Sequence, residues 1–170
     1  PILTPSAATR ADREPASRGR ASADGRVVGT AVHLALARAP LGDARAAANW
    51  ARLRAEQAGR DAGAIDRASA MARRGAGSSV VARALRATRT YREVAIGRAH
   101  PGGLVQGTMD LVFLEADRWV IVDYKTDAVE ASQLAPHAER YRSQMALYAT
   151  ELGAVTGRAV SEVILVFVDP

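Results

Sequence analysis

The segment Trp119-Val120-Ile121-Val122-Asp123-Tyr124-Lys125-Thr126-Asp127 decides how this chain is read. Its apolar, largely β-branched start predicts a buried strand, and a strand places residues i and i+2 on one face. Asp123 and Lys125 should therefore project together from the strand's end. Of the 23 Lys+Arg residues, 22 are arginine and the one lysine is Lys125. Wherever positive charge alone suffices, this sequence uses a guanidinium, so a position kept as lysine points to chemistry that a guanidinium does not supply. An ammonium is a compact point charge whose pKa moves with its surroundings, whereas a guanidinium is a rigid fork that keeps its proton. A carboxylate able to hold a metal and an ammonium able to hold a water are expected as neighbours.

Upstream, Gln106-Gly107-Thr108-Met109-Asp110-Leu111-Val112-Phe113 sets Asp110 inside an otherwise apolar strand. An acid there needs a cation, a set of hydrogen bonds or a metal, because carboxylates are almost never buried alone. Leu104 to Glu115 and Trp119 to Tyr124 read as a strand pair joined by Ala116-Asp117-Arg118. Two carboxylates converging from paired strands, with a lysine beside them, are the minimum for a hard divalent cation and the water it polarises. The plainer alternative is a salt bridge between Asp110 and Lys125 and nothing more.

Further outward the texture changes. Residues 1 to 25 are rich in Pro, Ser, Ala and Arg without apolar period and read as a flexible tether. Gly29-Thr30 offers a helix start with Thr30 as cap, leading into Ala31 to Ala37. Residues 43 to 58, 61 to 73 and 78 to 88 read as helices divided by Gly59, Gly63 and Gly75-Ala76-Gly77. After Thr90 come a strand from Tyr91 to Gly97, a turn at His100-Pro101-Gly102-Gly103, the strand pair, a helix over 137 to 152 and a buried strand from Glu162 to Val168. This order of helices, three strands, helix and strand predicts an α/β domain with a mixed central sheet and an N-terminal helical portion.

Composition narrows the function classes. With 48% hydrophobic and 24% charged residues, the 170-residue chain reads as one soluble globular domain. Zero cysteines exclude disulfides, Cys-ligated zinc and an iron–sulfur cluster. No apolar run approaches the roughly 20 residues that span a bilayer, and neither a Met nor a signal core opens the chain. A cytosolic protein without membrane attachment, cut from a longer chain, is expected. Residues 1 to 100 hold 18 arginines against 8 acids, a net of +10, and residues 101 to 170 hold 5 basic against 10 acidic residues, a net of −5. The basic half could track a phosphate backbone while the acidic half gathers cations. No G-x-x-x-x-G-K-[ST] loop is present, so no ATPase is read in this piece.

Together, Gly107-x-x-Asp110 and Asp123-Tyr124-Lys125 resemble the core of the PD-(D/E)XK nucleases, in the RecB-type form found at the C-terminus of UvrD-like helicases. Gly29-x-x-x-His33 is similar to that family's G-x-x-x-H motif, Asp123 to Asp127 to its D-Y-K-T-D signature, and Tyr141-x-x-Gln144-x-x-x-Tyr148 to its Y-x-x-Q-x-x-x-Y helix. The resemblance covers roughly residues 26 to 168 and implies a RecB-type nuclease domain over 26 to 170. It implies catalytic Asp110, Asp123 and Lys125, and a metal held by His33, Asp110, Asp123 and the backbone carbonyl of Tyr124. It also implies Gln144, Tyr148, Tyr141 and Glu93 in supporting or DNA-positioning roles. Mg²⁺ is the implied ion, with Mn²⁺ as substitute. The implied partners are DNA, in the form of a single strand delivered by a helicase domain of the same parent chain, with a second nuclease–helicase subunit left open. The implied activity is an exonuclease-type deoxyribonuclease of recombination and double-strand-break repair. A catalytically silent scaffold of the same fold and a freestanding exonuclease are the alternatives. His100 and His137 are assigned no site role.

Overall fold

The computed structural model describes residues 2–3, 19–100 and 103–169. In chain order the described elements are β1 (Ile2–Leu3), α1 (Gly19–Arg38), α2 (Ala44–Gln57), α3 (Ala62–Ala76), α4 (Ser79–Ala84), β2 (Arg89–His100), β3 (Gly103–Glu115) and β4 (Arg118–Lys125). A 3-10 turn at Ala131–Gln133, α5 (Leu134–Glu139), α6 (Arg142–Thr156) and β5 (Val160–Phe167) complete them. The expected α/β architecture with a mixed sheet is the one observed.

In the sheet β3 is central to an antiparallel set, with β2 on one edge and β4 on the other, and β4 continues into a parallel pair with β5. β1 runs parallel to Leu104–Val105. Those two residues also pair with β2, so β1 extends the edge that β4 uses further along. At the β3–β4 hairpin Ala116 and Asp117 both take positive φ, 48° and 64°, the pair of left-handed residues that a two-residue hairpin with native twist demands. A parallel β4–β5 pair needs a crossover, and α5 and α6 provide it.

Helices cover both faces. On α1 the buried residues Val28, Ala31, Val32, Ala35 and Leu36, continued by Ala39 just past its end, recur at three and four positions, one stripe of a 3.6-residue helix. With α2, α3 and α4 they close over Leu111, Phe113, Val120, Val122 and Tyr124. The opposite core sets Met145, Tyr148 and Leu152 of α6 against Met109, Val112, Leu114, Trp119 and Ile121. Alanine dominates the first core, allowing close helix approach, and large side chains fill the second.

Several boundaries differ from expectation. Of the stretch read as a tether, Ile2–Leu3 is strand and Gly19–Gly25 is helix, while residues 1 and 4–18 lie outside the described residues. The first helix does not begin at Gly29-Thr30: the apolar stripe reaches back to Val28, and the Thr30 hydroxyl donates to the Arg26 carbonyl (2.9 Å) rather than capping. Gly63 and Gly75 lie inside α3 instead of dividing helices, and the helix expected over 78 to 88 ends at Ala84. Asp43 and Asp61 cap α2 and α3, each side chain accepting from the amide three residues on. The helix read as 137 to 152 is broken at Arg140–Tyr141, where amides bond carbonyls only three residues back. His100 closes β2, paired with Gly103, and the expected turn residues Pro101 and Gly102 lie outside the described residues.

Candidate active site

The site begins where two strands part. The β3–β4 ladder pairs Leu111 with Val122 and does not extend to Asp123. Beyond it the Tyr124 amide donates to Asp110 Oδ2 at 2.7 Å, so a side chain takes the place of the neighbouring strand. β4 itself stays anchored on its other edge, where Asp123, Tyr124 and Lys125 pair with Leu165, Val166 and Phe167. In β3 the alternation of faces breaks at this point. Leu111 packs in the α1 core, yet Met109, two residues earlier, packs under α6. Across the other edge Glu93, with φ 53°, interrupts the ladder between the pairs Arg92–Leu111 and Val94–Met109. A left-handed non-glycine residue costs about 1 kcal/mol or more, and such strain gathers at functional sites.

Four charged side chains meet at the fork. His33 Nδ1 lies 3.1 Å from Asp110 Oδ1, and Lys125 Nζ lies 2.6 Å from Asp123 Oδ2. The second contact is a buried ion pair, with the ammonium standing directly on Asp123 Oδ2. Burial first, and then the Asp110 charge, raise the Asp123 pKa against the opposing pull of Lys125. Burial lowers that of His33, but the Asp110 hydrogen bond and the charges of Asp110, Asp123 and Glu93 outweigh it, so the net shift is upward. Glu93 is raised by burial and by Asp110. The alternative of a salt bridge between Asp110 and Lys125 is not what forms: His33 stands on Asp110 and Lys125 on Asp123.

A hard divalent cation fits this donor set. Two carboxylates share the fork, burial and the Asp110 charge disfavour the ionised form of Asp123 even with Lys125 beside it, and an imidazole stands on Asp110, so added positive charge is favoured there. Among the described residues no three His, Asp or Glu side chains stand in ligating arrangement as they are; His33 contacts Asp110, and Lys125 contacts Asp123.

The motif glycines have steric reasons. A Cβ on Gly29 would meet Thr126 Oγ1 at 2.8 Å, so glycine lets α1 approach the end of β4 and brings His33 to Asp110. A Cβ on Gly107 would meet the Tyr148 hydroxyl at 2.7 Å. That hydroxyl accepts from Gln144 Nε2 (2.8 Å) and from the Thr108 amide, tying α6 to β3 beside the carboxylates. Gln144 and Tyr148 thus grip each other, and Tyr148 is buried. Tyr141 lies apart from them, its ring 3.8 Å from Lys125 Nζ and its hydroxyl donating to Asp127 Oδ2 at 2.6 Å.

Sequence reasoning missed four residues. Asp127 orients Tyr141, and His137, assigned no role, sets Nε2 3.4 Å from Asp127 Oδ2 with its ring 5.8 Å from Phe167. Thr126 packs on Gly29. Arg92 Nη1 donates to the carbonyls of Leu36 and Ala39 at the end of α1, where a cation suits the helix dipole. Asp127 and Thr126 were visible as part of D-Y-K-T-D, but nothing in the sequence paired them with Tyr141 or Gly29.

Comparison with known proteins finds that a family model described as the PD-(D/E)XK nuclease superfamily matches residues 7–170. The A subunit of the ATP-dependent helicase/nuclease of Desulforudis audaxviator is 49% identical over 59 residues, 35% of this chain and 5% of that protein. The protein of the same name from Carboxydothermus hydrogenoformans is 41% identical over 66 residues, 39% of this chain and 6% of its own length. That of Desulforamulus reducens is 33% identical over 99 residues, 50% of this chain and 8% of its own length. The chain therefore spans a small fraction of these curated relatives.

Proposed function

Because the chain belongs to the PD-(D/E)XK nuclease superfamily, we propose that it hydrolyses DNA phosphodiester bonds at the fork between β3 and β4. The carrying observation is the half-buried Asp110 beside the buried Asp123, with the one lysine of the chain 2.6 Å from Asp123. A divalent ion, Mg²⁺ with Mn²⁺ as substitute, held by Asp110, Asp123, the Tyr124 carbonyl and His33, would polarise the scissile phosphate and lower the pKa of a bound water. Asp123 holds the Lys125 ammonium, and the Tyr141 ring beneath Nζ helps to keep it in place. From that position Lys125 donates to the attacking water and then to the oxygen on which charge develops. Gln144 and Tyr148 keep α6 on β3, and Glu93 holds the charge of His33 toward Asp110.

The relatives' names pair helicase with nuclease, which supports a parent chain whose helicase feeds a single strand to this domain for exonucleolytic degradation in bacterial break repair. A second nuclease–helicase subunit suits the same reading. The fork carries backbone-directed and water-directed groups rather than a base-reading element, so sequence preference should be low.

The test is cleavage of end-labelled single-stranded DNA by the 170-residue chain with Mg²⁺, with EDTA, and by Lys125→Ala. Cleavage that needs the ion and the lysine is the expected result. DNA binding with no cleavage under Mg²⁺ or Mn²⁺ at any protein concentration would instead identify a silent scaffold.

A further inference from the structure

Past His33 and Glu93 the fork opens onto a groove whose remaining residues the reaction above does not use. Next to His33 and Glu93 lies a hollow of ≈ 480 Å³ also lined by Thr30, Leu34, Ala37 and Arg38. It meets at Thr30 a second hollow of ≈ 320 Å³ lined by Arg26, Val27, Ala31, Arg54 and Ala58. Their shared side is one face of α1, and the stretch from His33 back to Arg26 spans about 10 Å of helix. Arg26, Arg38 and Arg54 are exposed, no acid lies between Arg26 and Arg38, and Glu56, the one acid of α2, is held by Arg52 at 2.6 Å. The α1 and α2 sides of the groove are thus cationic, and its one lining acid, Glu93, stands near Arg38 at the end that leads into the acidic fork.

One turn along α2 from Arg54, outside the lining of both hollows, stands an exposed aromatic side chain. Trp50, Arg54 and Ala58 recur every four residues, so they share one stripe of α2. The Trp50 indole is 40% exposed, while Trp119, the other tryptophan, is 4% exposed and bonded through Nε1 to Thr156. A basic groove with an aromatic plate on its rim is how proteins hold a nucleic-acid strand without reading its sequence: guanidinium groups track phosphates, and any base offers a π-face.

We propose that a single DNA strand lies along this groove, its phosphates on Arg26, Arg54 and Arg38 and one base stacked on Trp50, and reaches the fork past His33. This rests on the nuclease reading and adds the path of its substrate. A duplex suits the stripe less well, because its bases are stacked inside and offer no face to Trp50.

The experiment measures binding of labelled oligothymidylate to the whole chain in EDTA, so that no cleavage intervenes, over a range of salt. Wild type should bind with an affinity that falls as salt rises, and binding should quench tryptophan fluorescence. In Arg26→Ala/Arg54→Ala the log–log salt slope should shrink by about 1.4, about 0.7 for each phosphate no longer neutralised. Trp50→Ala should weaken binding about tenfold. Trp50→Phe should keep most of the affinity and lose the quench, which separates a stacking role from a disturbed fold. Unchanged slope and affinity in the double variant, with wild type still binding and cleaving, overturns the path and leaves the nuclease reading standing. No DNA binding by wild type at any salt overturns both. A change in self-association of Trp50→Ala without change in DNA binding makes the groove a protein interface and overturns the path.

Discussion

The two ends of the β3–β4 strand pair use the same backbone to opposite purposes. Toward the hairpin, Leu111 to Glu115 and Arg118 to Val122 pair residue for residue, and Phe113, Val120 and Ile121 are fully buried. Toward the fork the ladder stops, a carboxylate replaces a strand as partner of the Tyr124 amide, and charged groups fill the gap. Regular pairing satisfies every polar group and so concentrates stability; parting the strands leaves polar groups to be satisfied by side chains, and so concentrates chemistry. One strand pair is anchored at one end and reactive at the other.

The sharpest separation of the two ends comes from Lys125. Lys125→Ala should lower single-strand cleavage by about 10³-fold, the scale of losing one donor to developing charge. Lys125→Arg should not restore it, because a fork cannot replace a point donor. Calorimetry with Mn²⁺ should show the ion still binding to both variants. Near-normal cleavage by Lys125→Arg would mean that only charge matters there.

At the anchored end the effect moves to stability. Phe113→Ala should cost about 3–5 kcal/mol in urea melts, since Phe113 is 0% exposed in the core beneath α4. Below its melting temperature this variant should bind Mn²⁺ as wild type does. A folded Phe113→Ala that has lost the ion would show that the two ends are not separable.

A smaller effect follows pH. His33 and Asp123 both have folded pKa values above their ordinary ones. Such groups bind protons more tightly when folded, so their contribution is fully present below the ordinary values, near 4 for the acid and 6.5 for the imidazole, and is lost as pH rises through the raised ones. In EDTA the melting temperature should therefore carry a component that falls from mildly acidic to mildly alkaline pH, and His33→Gln should flatten its upper part. Mn²⁺ should reverse the fall by binding the ionised carboxylates. A profile that His33→Gln leaves unchanged would remove the imidazole from the network.

The smallest effect belongs at the hairpin. Ala116 holds a left-handed φ of 48°, which glycine adopts freely. Ala116→Gly should gain about 0.5 kcal/mol, the relief of strain exceeding the added chain entropy. Differential melts would read it, and a loss would mean that the turn's strain is compensated by local packing.

Much of this was legible because strand periodicity is short-range. The apolar runs around Asp110 and Asp123 gave both strands, and their two-residue period put Asp123 and Lys125 on one face, where they are found 2.6 Å apart. Thr30 misled because a Gly-Thr pair has the look of a helix start, and only the burial of Val28 on the same stripe shows α1 running through it. Gly75 looked like a break, yet it sits where a Cβ would press on Leu36 at 3.1 Å, a reason that belongs to the partner helix. His137 was set aside as a histidine at a helix start, and only the fold brings it between Asp127 and Phe167.

By itself the sequence determined the α/β class, the order of elements and the set of reactive residue types, since these depend on local pattern and on the chemistry of side chains. Tertiary structure alone decided that β3 and β4 part at Asp110, that His33 rather than Lys125 holds that carboxylate, and that Gln144 grips Tyr148 while Tyr141 underlies Lys125. The reason is that a side chain's partner is fixed by which elements can approach closely, and close approach, as at Gly29 against Thr126, is a property of two surfaces that only the packed chain brings together.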